Sequence, residues 1–149
     1  VSAVVFDAAK DEMFVAEKGA GAWLNESRIR VSGRRQMIEA IFATGVPFGG
    51  RGTLPATLQD LARLMPVCAG VRRWGAAALD LAYVAAGRYD GFWERGLNAW
   101  DMAAGMLLVK EAGGFVSAIR EGDNPLEKGA VICANDPLFE PFRKIIRGE

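Results

Sequence analysis

From its first residue the chain alternates in the manner of a β-meander. Strands are expected over 1–7, 12–18 and 22–25, with turns at 8–11 and at Gly19-Ala20-Gly21, and a short fourth strand over 28–31. A β-branched, apolar run over 38–43 ends at Thr44-Gly45-Val46-Pro47-Phe48, where glycine and proline stop regular structure. The glycine-rich segment 49–52 reads as a mobile loop. Beyond it a helical period takes over: Thr53 is the expected N-cap, Pro55 sits in the first turn, and Leu58, Leu61, Ala62 and Met65 share one face before Pro66. A strand over 67–73 follows, then an Ala- and Leu-rich helix over 76–86 closed by Gly87. Phe92-Trp93-Glu94 is a short strand, and a helix over 100–112 is capped by Asn98 and stopped by Gly113-Gly114. Strands over 115–119 and 130–134 flank a turn with Gly122, Asp123, Asn124 and Pro125, and an amphipathic helix over 137–146 completes the order. Meander strands followed by alternating helices and strands predict a layered α/β or α+β domain.

Composition narrows the picture to one globular domain. The chain has 149 residues, 51% of them hydrophobic and 24% charged, which excludes intrinsic disorder and leaves enough chain for one sizeable core. Eighteen basic residues balance eighteen acidic ones, so no global field attracts nucleic acid or an acidic membrane surface. No apolar run is long enough to span a bilayer and no basic-then-apolar leader opens the chain, so it reads as cytoplasmic with reduced thiols. The chain opens directly on a strand at Val1 instead of a methionine, which reads as a chain entered midway. Histidine is absent and the two cysteines, Cys68 and Cys133, are far apart in sequence. That removes histidine-ligated metals, cysteine-rich zinc sites and Ser-His or Cys-His nucleophiles, and leaves carboxylates, backbone amides and hard cations.

Asp101 follows the Asn98 cap by three residues, where a carboxylate suits the helix dipole and a capping box whatever the protein does. Asp oxygens equally suit Mg²⁺, and Glu94, seven residues upstream at a strand end, is placed to face the same crevice. Gly75-Ala76-Ala77-Ala78 opens a helix after Arg72-Arg73. Small residues there serve either an anion at the helix N-terminus or close helix packing. Asp80, inside an apolar helix, is expected to be partly buried, hydrogen-bonded and structural. The four tryptophans read mainly as core, and Arg28, Arg30, Arg34 and Arg35 as a solvated basic face.

Several strings, taken in order, resemble the inositol monophosphatase family of Mg²⁺-dependent, lithium-sensitive phosphatases. They are Glu17-Lys18-Gly19-Ala20-Gly21-Ala22-Trp23-Leu24-Asn25, Thr44-Gly45-Val46-Pro47-Phe48, Arg73-Trp74-Gly75-Ala76-Ala77-Ala78-Leu79-Asp80-Leu81, and Ala134-Asn135-Asp136-Pro137-Leu138. The most specific is Trp100-Asp101-Met102-Ala103-Ala104-Gly105 leading to Glu111-Ala112-Gly113-Gly114. The resemblance implies a layered α/β sandwich of the sugar-phosphatase type, of which residues 1–149 are the C-terminal region. It implies that Asp101 is a Mg²⁺ ligand, that Glu94 hydrogen-bonds a polyol ring, and that Gly75, Ala76 and Ala77 contact the substrate. It also implies hydrolysis of a phosphorylated polyol by metal-activated water, and a homodimer.

The departures matter as much. The family's Glu-Glu and Asp-Pro-x-Asp-Gly-Thr metal motifs do not occur in this sequence, so the N-terminal metal-binding half is expected to be absent and the chain alone inactive. Ala76 stands where many relatives have Ser or Thr, Ala99 where Pro often precedes Trp-Asp, and Ala118 where Asp often follows the Gly-Gly strand. Competing readings are another phosphatase of the superfamily, acting on fructose bisphosphate, a nucleotide 3′-phosphate or histidinol phosphate, and a non-catalytic binding module.

Overall fold

A computed structural model describes residues 1–50 and 52–149. The opening alternation folds as expected into an antiparallel meander: β1 (Ser2–Asp7), β2 (Glu12–Glu17), β3 (Gly21–Leu24) and the two-residue β4 (Ser27–Arg28), in that spatial order. Ala3, Val5, Phe14, Ala16 and Ala22 are buried on one face, the period-two signature of a half-covered sheet. A second, five-stranded mixed sheet has the order β6-β5-β7-β9-β8, with β5 (Ile41–Thr44), β6 (Gly70–Arg72), β7 (Gly91–Arg95), β8 (Phe115–Ala118) and β9 (Ala130–Ala134). β5 runs parallel to both β6 and β7, and β9 antiparallel to β7 and β8.

Helices α2 (Ala77–Ala85) and α3 (Ala99–Glu111) lie between the sheets. Their residues share one core with Val5 and Phe14 of the meander and with Ala43, Phe92, Val131 and Cys133 of the mixed sheet. Both helices therefore carry apolar residues nearly all round, as expected of a fully covered layer. The mixed sheet's other face, with Phe42, Trp93 and Ile132, packs on α1 (Leu54–Leu64) and α5 (Asp136–Arg147) through Leu64, Leu138, Phe142 and Ile146. Four layers result, sheet, helices, sheet, helices, in agreement with the α/β reading.

The differences from the sequence reading have local causes. The strand expected over 67–73 is interrupted by a 3₁₀ turn at Met65–Val67 and survives only as Gly70–Arg72, because Pro66 supplies no amide for a ladder. The strand expected over 28–31 pairs only through Arg28. Thr53 is not a side-chain cap: its backbone is already helical, and its carbonyl accepts the Thr57 hydroxyl at 3.0 Å. On α1 Leu58 stays exposed, as does Met65 just beyond its end, while Thr57, Asp60 and Leu64 are buried, because Asp60 turns inward to Trp93 and Arg95. Part of the 122–125 turn becomes the single helical turn α4 (Pro125–Lys128), capped by Asn124, which accepts the Leu126 amide at 3.0 Å. Of the loop over 49–52, Arg51 lies outside the described residues. Trp93 is the core tryptophan, whereas Trp74 and Trp100 are 55% and 80% exposed.

Candidate active site

Parallel strands β5, β6 and β7 deliver their carboxyl ends to one side of the mixed sheet, the position at which open α/β sheets leave a crevice. Alternation along β7 sorts its side chains. Phe92 faces the α2/α3 core and Trp93 the α1/α5 core, so Glu94 falls on the α2/α3 side and Arg95 on the other. The turn after β5 leaves room for the Glu94 carboxylate: a Cβ on Gly45 would stand 1.9 Å from Glu94 Oε1.

Two helix N-termini converge on the same crevice. Gly75 has φ +92°, a left-handed conformation that favours glycine, and it turns the chain from Arg73 into α2. Ala76 occupies the N-cap with extended backbone and no side-chain capping bond, so the first amides of α2 face the crevice without a local acceptor. At α3, the Asn98 amide donates to Asp101 Oδ2 at 2.9 Å, and the Asp101 amide donates to the Asn98 carbonyl at 3.0 Å. Asp101 thus performs the capping role expected of its position and also lines the crevice.

The result is a polar hollow of about 550 Å³ bounded by Gly75, Ala76, Ala77, Glu94, Asp101 and Arg73. All five residues singled out in the sequence meet there, from three separate stretches of chain. Arg73, Gly45 and Asn98 also bound it but were not singled out as site residues, since a strand-end arginine or a turn glycine has no distinguishing local signal. Among the described residues no group of three or more acidic, cysteine or histidine side chains could hold a metal. A hard cation at Asp101 would find one carboxylate there and no cage.

Asp80 departs from expectation. It is 1% exposed, yet neither carboxylate oxygen has a hydrogen-bond partner. Burial, with the nearby negative charge of Glu94, pushes its carboxyl up to about 7, and Arg73 opposes that shift. Packing of α2 between two sheets decides this, which local sequence does not reveal. Burial likewise pushes the thiols of Cys68 and Cys133 up, and both cysteines are free.

Residues 1–146 match the inositol monophosphatase family. The chain belongs to this family. An inositol-1-monophosphatase of Rhizobium meliloti is 50% identical over 147 residues, covering 99% of this chain and 55% of the relative. The Nus factor SuhB of Pseudomonas aeruginosa is 51% identical, covering 97% of this chain and 54% of that protein. The crystal structure of the extragenic suppressor protein suhB from Bartonella henselae superposes with a TM-score of 0.94 at 44% identity, over 99% of this chain and 56% of that one. The chain thus spans about 55% of the length of the curated relatives it matches, and its sheets and helices are those of the inositol monophosphatase fold. Among the described residues no helix is long and apolar enough to cross a membrane.

Proposed function

We propose that this chain supplies the substrate-holding part of a Mg²⁺-dependent phosphatase acting on inositol monophosphate or a similar sugar or polyol phosphate, and that it is inactive by itself. The reading rests on one observation: Gly75, Ala76, Ala77, Glu94 and Asp101 bound a single hollow at two helix N-termini. The uncapped α2 amides and the positive end of its dipole suit the phosphate. Glu94 suits the ring hydroxyls as an acceptor, and Arg73 offers a counter-charge at the rim. Asp101 would contribute one oxygen to bound Mg²⁺, which in such phosphatases activates water and neutralises charge on the phosphoryl oxygens. The remaining ligands of a catalytic cluster must come from outside residues 1–149, since one or two carboxylates do not build it.

The test separates binding from turnover. Calorimetry with inositol 1-phosphate and Mg²⁺ is expected to show binding that weakens about tenfold in Glu94→Gln, the loss of roughly one charge-assisted hydrogen bond. Phosphate release by the isolated chain is expected to match that of Asp101→Asn. Metal-dependent turnover well above that control would overturn the inactive assignment, and absence of binding would overturn the substrate assignment. A second reading, a binding module without catalysis, draws support from the Nus factor name of relatives at 45–51% identity, a range that includes the 50% identity to a relative named as a phosphatase. Partner binding with no affinity for Mg²⁺ or phosphate esters would favour it.

A further inference from the structure

On the face of the mixed sheet opposite Glu94, a second hollow of about 530 Å³ opens between α1, the end of α5 and the segment after β8. Four guanidinium groups bound it, those of Arg63, Arg95, Arg120 and Arg147. Their local carboxylates are unequal. Asp60 is fully buried and already engaged: it accepts from Trp93 Nε1 at 3.1 Å, from Arg63 at 2.8 Å and from Arg95. Burial pushes its carboxyl up, and these donors work against that shift. Arg63 is further engaged by the last carbonyls of α5, at Ile145 and Ile146.

Arg147 and Arg120 are left differently placed. The Arg147 side chain is only 10% exposed, yet its Nη1 is buried with no hydrogen-bond partner. The carboxylates of Glu121 and Glu149 stand 3.7 and 3.9 Å from it, beyond hydrogen-bonding distance, and are themselves 87% and 51% exposed. Arg120 makes no side-chain hydrogen bond or ion pair among the described residues. A buried donor without an acceptor is costly unless something fills the place.

We propose that this hollow is an anion site that takes a phosphate group, with Arg147 Nη1 and the Arg120 guanidinium as its donors. Arg147 Nε is held by the Ile119 carbonyl, and a dianionic tetrahedral oxyanion can accept from the remaining Arg147 Nη1 and from the Arg120 guanidinium at once, which the outward Glu121 carboxylate does not do. The site lies behind β7, back to back with the crevice that Glu94 faces, and does not depend on the function proposed for that crevice.

The experiment is a titration of the ¹⁵N-labelled chain with inorganic phosphate, and separately with glycerol 3-phosphate, at ionic strength held constant with sodium chloride. Expected are saturable shifts of the Arg120 and Arg147 Nε–H signals that share one midpoint. Arg120→Ala, whose exposed side chain holds nothing in the fold, should raise that midpoint about tenfold. It should leave any shifts at Gly75 and Ala77 unchanged. Glu121→Gln should lower the midpoint severalfold by removing a competing acceptor. Response to both titrants, or to one alone, supports the site and assigns its source as the bare phosphate group, the free ion or the ester. Shifts that fail to saturate or that chloride reproduces would overturn it, as would an unchanged midpoint in Arg120→Ala or a raised one in Glu121→Gln.

Discussion

Gly45 and Asp80 show how single positions govern the crevice. Gly45 is written by its neighbour: any Cβ would occupy the space of the Glu94 carboxylate. Gly45→Ala is therefore expected to displace Glu94 and to weaken binding of inositol 1-phosphate at least tenfold, with a stability loss of only about 1–3 kcal/mol from overpacking. Calorimetry alongside thermal melting checks both halves, and full affinity in this variant would contradict the placement of Glu94. Asp80 gives a pH dependence. Its carboxyl sits at about 7 in the fold against 3.8 when unfolded, so the folded chain holds this proton more tightly. Its contribution is then favourable at low pH, declines as pH rises from about 4 to about 7, and stays diminished above. Asp80→Asn should raise stability at pH 8 by on the order of 2 kcal/mol and flatten that decline. Urea midpoints across the range decide it. A loss of stability at pH 8 would mean that the carboxylate is charged and satisfied.

Between elements, glycines and one glutamate set the distances. A Cβ on Gly105 of α3 would lie 2.4 Å from Leu81 Cβ on α2, so the Leu81 side chain packs directly on the α3 backbone at that point. Gly105→Ala is expected to cost about 1–3 kcal/mol, read as a lower melting temperature. It should also move the α2 and α3 N-termini apart, so binding at the crevice should weaken with it. An unchanged melting temperature would show that the helices have slack. Glu111 ties α3 to the meander, accepting the Gly19 amide at 2.9 Å and the Gly21 amide at 3.1 Å. Two strings that stand out separately in the sequence are thus halves of one contact. Asn135 does the same for the 32–34 segment, donating to the Ser32 and Arg34 carbonyls at 2.9 and 2.8 Å while capping α5.

For the whole molecule, the uncovered face of the meander is the main physical consequence. Val4, Phe6 and Met13 are 56%, 50% and 45% exposed on it, and Phe6 and Met13 with Val15 and Trp23 bound a shallow apolar hollow. An apolar sheet face of this kind promotes association. Sedimentation velocity is expected to show concentration-dependent self-association of the 149-residue chain, reduced in Phe6→Lys. A monomer at every concentration would contradict it. The homodimer implied by the family resemblance is tested by the same measurement.

Elements whose cause is local were legible in residues close together in the chain. Period-two alternation made the meander, Asn98 and Asp101 opened α3, and Gly113-Gly114 closed it, because strand pleat, caps and left-handed turns act over a few residues. Strings of the Trp-Asp-x-Ala-Ala-Gly kind carried the family. Tertiary packing settled the rest, through contacts distant in sequence. It brought Gly75, Glu94 and Asp101 to one crevice, turned Asp60 inward against the face expected of α1, and buried Asp80 without a partner. It also reduced the strand expected over 67–73 to three residues. A hydrophobic pattern specifies which side of an element is covered, but not what covers it, and the charge and hydrogen bonding of a buried group follow from the covering layer.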